Sequence, residues 1–385
     1  MVFYIFVGVS TVVQQTKVHI IGGIRKMDLK KLGWNNHWEQ QWKMLDRKDT
    51  VPARVIGDFG HKYRVTTAFG SDIWAEMTGK LQHELQNRSY FPAIGDWVAV
   101  QRLEGEEKVI IHGILDRMTC ISRQGAGSVT HEQIIAANVD TLFLVCALNN
   151  DFNVRRIERY LIMAWNSGVN PVILLSKSDI CSDVAERLHL IQEASIGVPV
   201  HVISAHNNQG FEDLSKYITT GSTVALTGSS GCGKSTIINW FSGEVIQRTQ
   251  DVREGDNRGR HTTTHRELFI LPHGAVMIDT PGMRELKLWE DEGGVSLTFA
   301  DIEEMSTTCR FTDCMHEKEA GCAVLKAVAD GEIEEKRLLN YRKTLRELNY
   351  QAQKEAKAQS KLNNRISNTN GTRRKSSEWL RLADE

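Results

Sequence analysis

Thr223-Val-Ala-Leu-Thr-Gly-Ser-Ser-Gly-Cys-Gly-Lys-Ser-Thr-Ile-Ile238 decides the fold. Val224 to Leu226 is a short apolar, β-branched run that reads as a buried strand. Gly228, Ser229, Ser230, Gly231, Cys232, Gly233, Lys234 and Ser235 fit G-x-x-x-x-G-K-S, and Thr236 opens an amphipathic helix. Strand, glycine loop and helix in that order make a phosphate-binding loop. The glycines let the backbone curl so that successive N–H groups face phosphate oxygens, and the helix adds its positive end. Lys234 is placed to reach the β- and γ-phosphates, and the Ser235 hydroxyl to ligate Mg²⁺.

Downstream, Val276-Met-Ile-Asp-Thr-Pro-Gly282 is a strand ending in Asp-x-x-Gly. Asp279 can hold Mg²⁺ through water, and the Gly282 N–H can sense a γ-phosphate. Between lies Arg258-Gly-Arg-His-Thr-Thr-Thr-His-Arg266, a polar loop offering Thr263, or else Thr262 or Thr264, as a further Mg²⁺ ligand. Its composition suits a segment that orders around a γ-phosphate.

Upstream, the strand at Asn170 ends in Ser176, Lys177, Ser178 and Asp179, and the strand at Pro199 ends in Ser204 and Ala205. Ser-Lys-Ser-Asp resembles a guanine-reading element. The Asp179 carboxylate can accept from guanine N1–H and the 2-amino group. Adenine lacks that donor pair, and sites of this kind discriminate by ~10⁴–10⁵. The Lys177 stem can cover the ring face, and the Ser204-Ala205 turn can touch O6. These elements run base-reading, Ser-Ala, phosphate loop, threonine loop, Asp-x-x-Gly, whereas ordinary GTPases begin with the phosphate loop. The chain therefore reads as a circularly permuted GTPase, whose nucleotide state is transmitted to what lies C-terminal of Asp279 to Glu285.

From about Thr50 to Met118 the pattern changes to some five short strands, which suggests a small β-barrel of OB type. Before it, Trp34, Trp38 and Trp42 recur at four-residue spacing and predict one face of a short helix. That face either packs on the next domain or anchors a partner. Residues 1–26 look foreign to the rest, and Met27 reads as a natural start. Mass spectrometry of the native N-terminus tests this: a peptide spanning Ile24 to Lys30 would contradict it.

Cys309, Cys314, His316 and Cys322 are spaced C-x4-C-x-H-x5-C, which fits a closed, structural Zn²⁺ site of three thiolates and one imidazole. Beyond Ile333 the chain is polar and basic, with helical periodicity at Leu338, Tyr341, Leu345 and Leu348. It ends in a basic, low-hydrophobicity tail read as disordered. It is either a solvated helix and tail or a contact for RNA phosphates.

The expected organisation is an extension at 1–49, an OB barrel at 50–120, a permuted α/β GTPase domain at 128–295, a zinc-binding helical domain at 296–350 and a tail at 351–385. The 385 residues carry 41% apolar and 25% charged side chains and a net charge of −1, so a basic partner surface must be local. Seven cysteines, three of them crowded into 309–322, point to a reducing, cytoplasmic compartment rather than a disulfide framework. No apolar run is long enough for a membrane span, and a monomer is expected.

Together, the barrel, the permuted elements with Gly-Arg-His-Thr-Thr-Thr264 and Asp-Thr-Pro-Gly282, and the cysteine spacing resemble the ribosome small-subunit-dependent GTPase A (RsgA) family over about residues 50–345. The resemblance implies GTP hydrolysis to GDP, stimulated by the small ribosomal subunit late in its maturation, with rRNA as the surface bound. The competing reading is a GTP switch acting on a protein, with barrel and knuckle as docking modules. A nucleotide-independent RNA scaffold is disfavoured by intact Lys234, Ser235, Asp279 and Asp179. Ser176 stands where many relatives have Asn, which suggests a looser tie to the phosphate loop. Met283 cannot orient water, so slow intrinsic turnover is expected. His261 is the candidate for orienting the attacking water, the alternative being contact with RNA or solvent.

Overall fold

Short runs rich in β-branched and aromatic residues build the first five strands, with clean alternation of burial in β5: β1 (Val51–Asp58), β2 (Lys62–Thr67), β3 (Gly70–Met77), β4 (Trp97–Arg102) and β5 (Lys108–Ile114). They pair in the order β1-β2-β3-β5-β4. The register Val51↔Val100 to Arg54↔Trp97 returns β4 to β1 and closes the barrel. Ala53, Val55, Tyr63, Val65, Ala75, Val98, Val100, Val109 and Ile111 fill its interior. The computed structural model describes residues 27–45, 47, 49–85, 87–103, 105–124, 132–246, 267–280, 293–354, 356, 357 and 360. His261, Thr262, Thr263, Thr264, Gly282 and Met283 lie outside the described residues, as do 1–26 and the tail from 361.

Helix α1 (Asn36–Leu45) is capped by Asn35, whose Oδ1 accepts from His37 N at 2.9 Å. Trp38 and Trp42 sit on it, but Trp34 precedes it, so the three do not share one helical face as expected. All three gather on the barrel's buried Trp97: the Trp34 and Trp38 rings lie 4.8 and 6.4 Å from it, and Trp42 lies 6.1 Å from Trp34. The cluster with Leu32 and Leu115 is a small core, which favours packing over partner anchoring. A second short helix, α2 (Gly79–Glu84), adds Leu81 to the barrel core.

A hairpin of β6 (Cys120–Gln124) and β7 (Glu132–Ala137) leads into an α/β sheet. Its strands are β8 (Thr141–Ala147), β9 (Asn170–Ser176), β10 (Val200–Val202), β11 (Thr223–Gly228), β12 (Glu267–Ile270) and β13 (Val276–Asp279), in the order β10-β9-β8-β11-β13-β12. All are parallel except β12. β8 is apolar throughout because both faces are covered: Leu142, Leu144 and Cys146 enter one core, Phe143, Val145 and Ala147 the other. Helices α3 (Val154–Asn166), α4 (Val184–Ala194) and α5 (Lys234–Ser242) follow β8, β9 and β11. β12 also pairs with β1 at Gly57↔Glu267, so barrel and α/β strands form one continuous sheet of eleven.

The last elements are α6 (Gly294–Thr298), α7 (Ala300–Ser306), α8 (Ala323–Ala329) and a long helix, α9, at 335–354. Leu338 and Tyr341 are buried, and Leu345 and Leu348 pack beside them, in keeping with the helical periodicity. Phe299, Ile302 and Val324 share one core with Ile157 and Leu161 of α3, so these helices are packed on the sheet's own layer. Among the described residues, no helix is long and apolar enough to cross a membrane.

Candidate functional site

The phosphate loop sits where β11 turns into α5, between β8 and β13. Gly228 lies flat against β8: a Cβ there would come within 2.3 Å of Val145 O and 2.7 Å of Cys232 Sγ. Gly231 and Gly233 have φ of 76° and 105°, which side-chain-bearing residues rarely adopt. Lys234 is buried, and its Nζ donates to Gly228 O and Ser229 O, each at 3.0 Å. The ammonium therefore lies over the concave side of the loop. Ser235 and Thr236 follow it on the first turn of α5. Burial pushes the Cys232 thiol up, against the nearby Lys234 charge, so it stays protonated at neutral pH.

Asp279 ends β13 in register with Leu226, one strand from the phosphate loop, and is buried. Thr280 ties that end down, its hydroxyl donating to Leu226 O at 2.6 Å. Ser235 and Asp279 supply oxygen donors of the type Mg²⁺ prefers. They fit that ion beside a cradle whose glycines leave room for phosphate.

The candidate base-reading residues come together on the ends of β9 and β10. Ser178 and Asp179 form a 3₁₀ turn after Lys177, which is left-handed at φ 61°. Ser204 Oγ donates to Asp179 Oδ1 at 2.6 Å and accepts from Asn207 N at 3.1 Å, with Ala205 beside it in the exposed turn. The looser tie expected at Ser176 is modified by a contact that sequence reading missed. Its Oγ donates to Cys232 O at 2.6 Å, so the candidate base element is hydrogen-bonded to the phosphate loop. A cavity of ≈ 290 Å³, lined by Asn149, Asn150, Ile180 and Arg187 among others, opens beside this turn rather than over the phosphate loop.

The cysteine cluster lies apart, between α7 and α8. One donor atom from each of Cys309, Cys314, His316 and Cys322 fits within a 4.8 Å span. Cys309 Sγ lies 3.8 Å from Cys322 Sγ and 3.7 Å from His316 Nδ1, and Nδ1 lies 3.3 Å from Cys322 Sγ. Tetrahedral Zn²⁺ with Zn–S near 2.3 Å requires sulfurs about 3.8 Å apart, so the residues fit that ion. Burial lowers the His316 pKa and favours the neutral, ligating imidazole. The Glu319 carboxylate accepts from its own N–H and from Lys318 N, Glu317 N and Met315 N, which braces the loop and draws its carboxyl down to about 2.

The RsgA GTPase family model matches residues 114–289. An ABC transporter model also matches residues 211–369, a span that includes the phosphate loop. The chain is 46% identical over 301 residues to the small ribosomal subunit biogenesis GTPase RsgA 2 of Lactiplantibacillus plantarum, covering 78% of this chain and 84% of that one. It is 42% identical over 338 residues to the RsgA of Opitutus terrae, covering 85% and 92%. Among solved structures, YjeQ from Thermotoga maritima is similar with a TM-score of 0.58 at 25% identity, over 78% of this chain and 98% of that one. YloQ, titled a circularly permuted GTPase, shares the fold with a TM-score of 0.55 at 24% identity, over 80% and 97%. The ABC match reaches neither the barrel nor the strand ends at Ser176 to Asp179 and Ser204 to Ala205, whereas the relatives cover 78% or more of this chain. The chain is a circularly permuted GTP hydrolase and belongs to the RsgA GTPase family.

Proposed function

We propose that this GTPase binds the small ribosomal subunit through rRNA, hydrolyses GTP fast only when so bound, and acts in the cytoplasm late in subunit maturation. The relatives' names supply the ribosomal partner. The observation that carries guanine specificity is the meeting of Asp179, Ser204 and the phosphate loop through the Ser176–Cys232 bond. In this reading Asp179 accepts from guanine, Ala205 lies at O6, and the loop from Gly228 to Gly233 binds the phosphates. Lys234 neutralises charge at the β- and γ-oxygens. Ser235 and Asp279 would hold Mg²⁺, with Thr263, Thr262 or Thr264 as a third protein ligand. Mg²⁺ supplies further charge neutralisation there. Gly282 reports the γ-phosphate, and His261 orients the attacking water.

We read the five-stranded barrel as OB type from its β1-β2-β3-β5-β4-β1 closure. Exposed Phe59 and Trp74, 5.4 Å apart, with the Arg64 guanidinium 4.5 Å from the Trp74 ring, support a stacking surface for unpaired bases. Cys309, Cys314, His316 and Cys322 hold one structural Zn²⁺, supported by the sulfur spacing. Equilibrium binding tests the nucleotide assignment: GTP should displace bound GDP where ATP at a hundredfold excess does not. Equal competition by ATP would remove it. Sedimentation with small subunits should be stronger with a non-hydrolysable GTP analogue than with GDP. Nucleotide-insensitive or absent binding would favour a protein partner.

A further inference from the structure

Helix α6 begins twelve residues after Gly282. Its first residue, Gly294, donates its N–H to Asn166 Oδ1 at 2.7 Å, at the C-terminal end of α3. A Cβ on Gly294 would lie 2.5 Å from both Asn166 Oδ1 and Ile162 O, so only glycine lets α6 lie this close to α3. At the other end of α6, Thr298 O accepts from Arg337 Nη2 at 3.0 Å. Arg337 comes from α9 and is 8% exposed. It also forks onto Asp301 of α7, with both bonds at 2.6 Å, and reaches Glu158 of α3 at 3.2 Å. Its guanidinium lies 5.0 Å from the Phe299 ring centre. One side chain thus joins α3, α6, α7 and α9. The neighbouring Arg159–Glu347 pair, at 2.6 and 2.9 Å, joins α3 and α9.

We propose that Arg337 is a positioning residue for subunit-stimulated GTP hydrolysis. It fixes α6 against α3 in the register that Gly294 permits, and so fixes the frame to which the chain running on from Asp279 is attached. Order imposed on α9 by docking reaches the nucleotide site through this junction. The inference rests on the proposed stimulation by small subunits and adds the residue that conveys it. Arg337 touches neither nucleotide nor reacting atoms, so its role shows as a loss of stimulation with nucleotide binding preserved.

Removing Arg337 outright would strand Glu158 and Asp301, so the informative variants are milder. Arg337→Lys keeps the charge but cannot fork onto Asp301 while reaching Thr298 O. Gly294→Ala lifts α6 off α3 from the opposite end. Glu347→Gln opens the other α3–α9 bridge and serves as the control. Turnover is measured on the full chain, alone and with small subunits, together with GTP affinity. Both test variants should lower the stimulated kcat about tenfold, with affinity and unstimulated turnover within about twofold of the starting protein. The double variant should be no worse than the more impaired single, because both act on one junction. Glu347→Gln should keep full stimulation. Unchanged stimulation in Arg337→Lys and Gly294→Ala would overturn the inference. So would a parallel loss of GTP affinity, or an equal defect in Glu347→Gln, either of which reports general loosening. Absence of stimulation in the unsubstituted chain would instead remove the proposed function, and this inference with it.

Discussion

Ser176 connects the two halves of the proposed nucleotide site. Its hydroxyl has one proton to give and gives it to Cys232 O. A neutral, buried hydrogen bond contributes about 1 kcal/mol net, so Ser176→Ala should weaken GTP binding about fivefold by titration calorimetry. Unchanged affinity would mean that the bond does not help organise the site. Asp179 makes a sharper prediction. Asp179→Asn presents a donor where guanine presents its 2-amino group, and GTP affinity should fall by at least about a hundredfold. Xanthosine triphosphate, with a carbonyl at that position, should regain most of the loss. Failure of xanthosine to recover binding would place the base elsewhere. The residue types at Lys234, Ser235, Asp179 and Asp279 were legible because a phosphate loop and its satellites are defined by short-range spacing. The partners of Ser176, Thr280 and Arg337 were not, because each lies many residues away and is chosen by packing.

Elements show the same division. The barrel strands were legible as short β-branched and aromatic runs broken by turn residues, and β8 from its unbroken apolar run. The β4–β1 closure and the Gly57↔Glu267 pairing depend on register between distant segments, which no local pattern encodes. The tryptophan stripe was misread as one helical face because Trp34 shares the spacing without sharing the helix. In the C-terminal helices, the cysteine cluster places Cys322 in the same core as α3, so metal bound there should stabilise more than its own loop. Chelation, or Cys314→Ser, should lower the thermal midpoint by at least about 5 °C. No shift would argue against a bound structural ion.

Glu158, under α9, gives a pH prediction. Burial raises its carboxyl from 4.5 to about 7, against the pull of Arg337, Asn340 and Arg155 and with the help of Asp301. A carboxyl raised on folding binds its proton more tightly when folded. Its contribution to stability is full below pH 4.5 and is lost as the pH rises through about 7. Glu158→Gln should therefore flatten the fall in stability between about pH 5 and 8 seen by denaturant unfolding. A slope that persists in the variant would contradict the assignment.

At the scale of the molecule, the permutation puts β9 and β10 before the phosphate loop and leaves Asp279 close in sequence to the C-terminal helices. β12 joins the same sheet to the barrel, and the C-terminal helices pack on α3, so both flanking modules are built onto the α/β domain that carries the phosphate loop. A partner that engages barrel and C-terminal helices together therefore contacts both modules attached to the GTPase domain, in keeping with the proposed stimulation on docking. The most direct test is GTP turnover by the purified chain, alone and with small ribosomal subunits, with ATP as control. Slow turnover alone, strong stimulation by small subunits and no ATP hydrolysis are expected. Bound GTP with equal turnover in the presence and absence of subunits would contradict the account.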